Sequence, residues 1–251
     1  MIKSPLLSII TTNKNDHYRE NTLQRLKFIL NYLIYSLKKI DAEEKVEYII
    51  VDWGSDEPLS NYFNNEISNC QSIKFINISK EETKKYKLNF DTSKALNVGI
   101  DHSLGEHLMF TSSDQFFPLS VLANFLNLIE RPHLYGLKGD EYKLIPRKYL
   151  INDSIIHEKN METVDLYLRN LNHSEMQIDD FTLHDGSGAG GNSLKKNQIL
   201  QIGGIKNSDF HNHGQDNILF HEISNYCSHI DTATFGSFLL KLPITNTGFR
   251  V

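Results

Sequence analysis

Cysteine is scarce. There are two, Cys70 and Cys227, far apart in a chain of 251 residues. That excludes a disulfide framework and a cysteine-rich zinc cluster, and it suits a reducing compartment. No apolar run approaches the ~20 residues that cross a bilayer. The apolar core of the opening stretch MIKSPLLSIITTNKN is too short for a secretory h-region with its cleavage site. A soluble, cytoplasmic protein is the expectation. Peripheral membrane contact remains compatible with it, although the short C-terminus ending at Val251 offers no obvious membrane-binding tail. Excess basic charge is missing too: 26 Lys and Arg stand against 31 Asp and Glu, for a net charge of -5 and a pI near 6.1. That balance argues against a nucleic-acid partner, while leaving room for a local basic pocket around one phosphorylated ligand. The 11 histidines contain no H-E-x-x-H pattern. No G-x-G-x-x-G follows the first apolar run, as a NAD-dependent dehydrogenase would require. The segment TTNKNDHYRE holds no glycine, against a nucleotidyltransferase phosphate loop. Neither an internal repeat nor a linker interrupts the chain, so one domain is expected.

What is present is an alternation of strands and helices. Leu6 to Thr11 reads as a first buried strand, followed by a polar loop at 12–16. Leu23, Leu26, Ile29, Leu30, Leu33, Ile34 and Leu37 recur at helical spacing. VEYIIV, Val46 to Val51, is a second strand ending in the loop 52–56, and Pro58 opens a helix to about Ile67. IKFINI, Ile73 to Ile78, is a third strand, followed by a lysine-rich loop at 80–87. Asp91 or Thr92 caps a helix through Ile100. His107 to Thr111 is a fourth strand, ending in Ser112-Ser113-Asp114, and a helix runs from Leu119 to Ile129. Such alternation predicts an α/β fold with a mostly parallel sheet, and it gathers the loops 12–16, 52–56 and 112–115 at one edge. Ligands bind at the carboxyl ends of strands in such sheets. After Arg131 the pattern weakens. Leu134 to Lys138 and Tyr142 to Pro146 are short strand candidates, and a helix is expected around Glu162 to Leu171. The glycines of 186–191 mark tight turns or close approach of backbone to a ligand. Leu194 to Ile202 looks helical and stops at Gly203-Gly204. Asp216 to Tyr226 looks like a further helix, and Phe235 to Leu242 a final strand.

The polar residues at these strand ends admit two uses each. Asp114, with nothing cationic beside it in sequence, either holds a hard metal ion or caps the helix after Pro118. Asp52 either binds a ligand or closes the turn before Gly54. Asp216 either serves a cleft or caps a helix, and a helix N-terminus permits both.

Four segments carry a resemblance. LSIITTNKN, EYIIVDWGSDEP, KALNVGIDHSLGEHLMFTSSD and GAGGNSLKKNQILQIGGIKNSDFHNHGQDN follow one another in the order and spacing of the family 2 glycosyltransferases, which have a GT-A fold, and of the related galactosyltransferase C-terminal segment. The chain resembles that family over most of residues 6–225. The resemblance implies an α/β, GT-A (Rossmann-like), mostly parallel central sheet flanked by helices in a single domain, with a nucleotide-binding half at 1–130 and an acceptor-binding half at 131–251. It implies transfer of a sugar from a nucleotide-sugar donor, a UDP-sugar above all, to a glycan or glycolipid acceptor of a surface polysaccharide. Asp52 would accept hydrogen bonds from the base or ribose, Thr11 and Asn13 would flank the base, and Lys94 would lie near the nucleotide. Asp114 matches the second Asp of the family's D-x-D and would bind Mn2+ or Mg2+. Asp216 matches the general base of inverting members, and Gly190, Gly191 and Gln215 would contact donor and acceptor. Two departures stand out. Ser112 replaces the first Asp of D-x-D, and Gln215 replaces the acceptor-binding Glu, so metal affinity should be reduced. His229 is the one candidate for a downstream histidine ligand. A non-catalytic nucleotide-sugar-binding relative is the alternative reading.

Overall fold

The computed structural model describes residues 4–15, 21–86, 90–150, 154–171, 176–178, 189–206, 222–223 and 225–242. Four strands, β1 (Leu7–Asn13), β2 (Val46–Trp53), β3 (Ile73–Ile78) and β4 (His107–Thr111), lie parallel in the order β3-β2-β1-β4. The sheet continues through β8 (Ala189–Lys195), antiparallel to β4, and then β6 (Tyr142–Leu150), antiparallel to β8. Beyond β6 lie β10 (Leu239–Lys241), parallel to it, and the two-residue β5 (Gln115–Phe116), antiparallel to β10. Short strands β7 (Met176–Ile178) and β9 (His229–Asp231) also pair with β6.

All eight residues of β2 are buried, as expected of a central parallel strand covered on both faces. Its odd and even residues enter different cores. Val46, Tyr48 and Ile50 join Leu7 and Ile9 against α1 (Thr22–Lys39) and α5 (Leu119–Glu130). Ile49, Val51 and Trp53 join Ile10, Leu108 and Phe110 against α4 (Thr92–His102) and α7 (Lys196–Gln201). Fully burying each Ile or Leu stabilises by about 1.5–3 kcal/mol, so both layers contribute. α4 lies very close to the sheet: a Cβ at Gly99 would overlap Ile10. Asn97, two residues earlier, exchanges hydrogen bonds with both backbone groups of Ile205 (2.8 and 2.9 Å), and so ties α4 to the turn after α7. No described helix is long and apolar enough to cross a membrane.

Several elements differ from the sequence expectation. β1 and β2 run two residues further, so Thr12, Asn13, Asp52 and Trp53 are strand residues. The helix expected from Pro58 is a 3-10 turn, Leu59–Tyr62, followed by α2 (Asn64–Asn69). The break falls at Phe63, which is buried and stacks on Phe75 at 5.5 Å. The lysine-rich segment opens with α3 (Lys80–Thr83), nucleated by a capping box between Ser79 and Glu82. Leu134 to Lys138 is not a strand: Pro132 starts a 3-10 turn and Gly136 ends it at φ 73°. The helix near Glu162 is α6 (Met161–Arg169). Leu194 and Lys195 belong to β8, with α7 starting only at Lys196. Gly203 and Gly204 end that helix at φ 79° and 87°. The strand expected from Phe235 shrinks to Leu239–Lys241 behind a further 3-10 turn, Thr232–Phe235. The loop at 210–214 and most of the helix expected from Asp216 lie outside the described residues.

At the amino end of the sheet, Glu47 is 3% exposed. Its carboxylate accepts from the Ser8 hydroxyl (2.5 Å), the Lys74 ammonium (2.5 Å) and the Leu104 N–H (2.5 Å). Burial alone would raise its pKa; these donors outweigh burial and hold the carboxyl below its usual range. Removing the charge with Glu47→Gln takes the partner from the partly exposed Lys74 ammonium and weakens the hydrogen bonds from Ser8 and Leu104, and a loss of about 1–2 kcal/mol is expected in denaturant titration. A folded pKa below the unfolded value of about 4.3 means that the contribution is complete above that value. It fades as pH falls through the folded pKa. Glu47→Gln should therefore flatten the acid limb of the stability profile; an unchanged limb would assign acid sensitivity to other carboxylates.

Candidate functional site at the carboxyl edge

The parallel register puts Asn13 opposite Asp52 at the carboxyl ends of β1 and β2. Both side chains are buried, at 6% and 1% exposure. Asp52 Oδ1 accepts from the Ser55 hydroxyl at 2.5 Å, and Oδ2 accepts from the Leu59 N–H at 2.8 Å. Ser55 Oγ in turn accepts from the Asn15 N–H at 2.8 Å, so one hydroxyl pins the loop after β1 to the loop after β2. Burial pushes the Asp52 carboxyl above its ordinary value, against the hydrogen bonds from Ser55 and Leu59 that pull it down. The turn role and a ligand role coexist here, because each carboxylate oxygen has a second lone pair.

Asn13 accepts the Lys14 N–H on Oδ1 at 2.8 Å. That contact fixes which amide atom is which. Nδ2 is then a buried donor with no hydrogen-bond partner among the described residues. Several buried polar atoms share that state among the described residues; the place of this one at the carboxyl edge leaves it open to an acceptor from a ligand. Next along β2, buried Trp53 packs against the ring of Tyr86, 39% exposed, with centroids 5.2 Å apart. This aromatic pair escaped the sequence reading. The chain's one tryptophan, within Asp52-Trp53-Gly54, was the signal for it.

Other expected residues sit differently. Thr11 is 0% exposed; strand alternation turns it inward to the buried Tyr48 phenol, whose pKa burial and the nearby Asp114 charge raise and the Thr11 hydroxyl lowers. Its side chain therefore does not reach a cleft. Lys94 is exposed in the first turn of α4, where its N–H is capped by Asp91 at 3.0 Å. Gly190 and Gly191 are strand residues, not a ligand-hugging turn. Gly191 pairs with Thr111 and with Ile145. A Cβ there would meet Leu239 Cδ1 at 3.0 Å, Met109 Cε at 3.1 Å and the Phe110 carbonyl at 3.1 Å. The close approach is to the neighbouring strands. Gln215 and Asp216 lie outside the described residues.

The turn after β4 rotates Ser112 out to solvent and Asp114 in, to 4% exposure. Gln115 accepts from the Thr111 hydroxyl (2.7 Å) and the Ser112 N–H (3.3 Å), holding the turn in that sense. Asp114 meets Arg25 and Lys241, each 3.9 Å from its Oδ2. The cations that the local sequence lacked arrive from positions 25 and 241. A metal ion at Asp114 would meet two like charges in a buried setting, which disfavours binding. No three His, Cys, Asp or Glu side chains among the described residues are grouped to hold a metal ion. His229 does not supply the deficit: it is exposed and pairs with Tyr142, three residues before Ile145, which is level with Thr111. The described residues do not fit a metal at Asp114.

The packing of Gly191 gives a direct test. Gly191→Ala is expected to lower unfolding stability by about 1–3 kcal/mol through overpacking, measured by thermal or denaturant unfolding. A variant as stable as the wild type but impaired in ligand binding would return Gly191 to the ligand.

No family model and no curated protein matches the sequence. Solved structures do match the fold. The chain superposes on S. aureus TarS with a TM-score of 0.59 at 15% identity, covering 95% of this chain and 37% of that one. On S. aureus TarS 1-349 in complex with UDP-GlcNAc the score is 0.60 at 14% identity, covering 96% and 59%. On the mannosyltransferase PcManGT from Pyrobaculum calidifontis, in complex with GDP-Man and Mn2+, it is 0.54 at 13% identity, covering 98% and 59%. The chain thus spans between 37% and 59% of the length of those chains. At these identities the likeness is one of fold: the mostly parallel α/β sheet flanked by helices is the architecture of the GT-A glycosyltransferases.

Proposed function

We propose that the chain is a glycosyltransferase that takes a sugar from a nucleotide-sugar donor, a UDP-sugar first among them, and passes it with inversion to a hydroxyl of a glycan or glycolipid. The observation that carries this reading is the pairing of Asn13 and Asp52 at the carboxyl edge of a GT-A sheet. A buried amide donor lies opposite a buried carboxylate acceptor. Together they complement the adjacent carbonyl and imide N–H of uracil. The preference for uracil over other bases comes from the family resemblance, and so does the division into a nucleotide half to residue 130 and an acceptor half beyond it.

In this reading Asp52 and Asn13 hold the base, the exposed Ser112 faces the ribose or donor sugar, and Lys94 at the start of α4 lies near the diphosphate. Asp216 takes the proton of the acceptor hydroxyl. The hydroxyl oxygen then bonds to the anomeric carbon as the bond from that carbon to the diphosphate oxygen breaks, releasing UDP. Gln215 hydrogen-bonds the acceptor without charge.

Thermal shift with UDP, GDP, ADP and CDP tests binding, because a ligand of the folded state raises Tm. UDP should give the largest rise. Asp52→Asn and Asn13→Ala should each weaken UDP about 10-fold, the loss of one hydrogen bond to a charged or buried group. No shift with any nucleotide would contradict the reading. Asp216→Asn should bind UDP as the wild type does and lose transfer of a labelled sugar; loss of UDP binding as well would remove Asp216 from the base role. A second reading, a nucleotide-sugar-binding relative without turnover, draws on the outward Ser112 and inward Asp114. Wild-type binding without turnover across acceptors would favour it.

A further inference from the structure

The inward turn of Asp114 has its own logic, independent of the glycosyltransferase reading. We infer that Asp114 anchors a buried ionic latch that fastens the last described strand and the first turn of α1 to the turn after β4, at the position where the resemblance places a metal ligand.

Three elements meet at this point. Arg25, 6% exposed on α1, and Lys241, 9% exposed on β10, both lie 3.9 Å from Asp114 Oδ2. The backbone completes the ring. Arg25 Nη2 donates to the Leu242 carbonyl at 2.8 Å, and the Leu242 N–H donates to the Asp114 carbonyl at 3.0 Å. Lys241 is also the residue of β10 that pairs with Gln115 of β5. The side chain of one aspartate, its own carbonyl and its neighbour's strand pairing thus all bind the same two residues, Lys241 and Leu242.

The fold supplies a reason for the latch. β10 has only three residues, and β5 has two. So few ladder hydrogen bonds hold a strand weakly. Lys241 and Arg25 are buried cations, and a buried cation needs a counter-ion. Asp114 is a counter-ion that both share, and breaking such a buried pair by removing one partner is strongly destabilising. A metal ligand would need the opposite environment, an electron-rich group of oxygens facing the ion.

The test uses the full chain without nucleotide, so its result stands apart from the question of donor binding, which UDP alone reads in a separate thermal shift. Asp114→Asn, Arg25→Met and the double variant form a cycle. Asp114→Asn is expected to lower Tm by roughly 6–20 °C, and the double variant to lose clearly less than the sum of the two. Mn2+ titration followed by the free-ion paramagnetic resonance signal should be the same for wild type and Asp114→Asn. Additive losses, an unchanged Tm in Asp114→Asn, or Mn2+ binding lost in that variant would each overturn the latch. Should Asp114→Asn fail to fold, Arg25→Met decides: a lowered Tm with earlier proteolytic cleavage near β10 supports the latch, and a wild-type Tm overturns it.

Discussion

Everything at the carboxyl edge depends on the register between β1 and β2. The pairing of Leu7 with Val46 carries through to Asn13 with Asp52. It is fixed because both faces of β2 are buried, with alternate residues committed to different cores. A slip of one residue would exchange those cores and send Asp52 to the Trp53 side. The hydrophobic layers therefore place the polar pair. The polar pair then places the loops, through the hydrogen bonds from Asn15 to Ser55 and from Ser55 to Asp52.

The two ends of the edge treat their carboxylates differently. Asp52 is buried among neutral donors, and burial leaves its carboxyl above the ordinary range. A further donor from a ligand would find an acceptor still open. Asp114 is buried, with cations brought by distant segments 3.9 Å from its Oδ2. One aspartate suits recognition and the other cohesion, although Asp52 lies near the end of an apolar strand and Asp114 three residues past the end of another. At 112–114, where the sequence resembles a family motif, the acidic residue is turned inward and the outward position is a serine.

The first four strands, the alternation with helices and the parallel sheet were legible because apolar runs and helical periodicity are local signals. Ile73 to Ile78 and His107 to Thr111 fall where the sequence placed them. The lengths of β1 and β2 were not, since Thr12, Asn13 and Asp52 look like loop residues until a neighbouring ladder claims them. Ser79 and Glu82 carried a capping signature inside a lysine-rich stretch that read as loop. The glycines at 190 and 191 read two ways, because small residues serve both ligand approach and tight strand packing, and at Gly191 the neighbours Met109, Phe110 and Leu239 show the packing. The environment of Asp114 was out of reach of local reading altogether, because Arg25 and Lys241 lie 89 residues before it and 127 after it in the chain. The role expected of Asp216 rests on the family resemblance alone.

The central claim is that a uracil nucleotide is held at the ends of β1 and β2. A crystal structure of the chain with UDP tests it most directly. The account predicts the uracil edge against Asn13 Nδ2 and the Asp52 carboxylate, with the Ser55 and Leu59 hydrogen bonds to Asp52 retained. A base bound elsewhere, with Asn13 and Asp52 untouched, would contradict it.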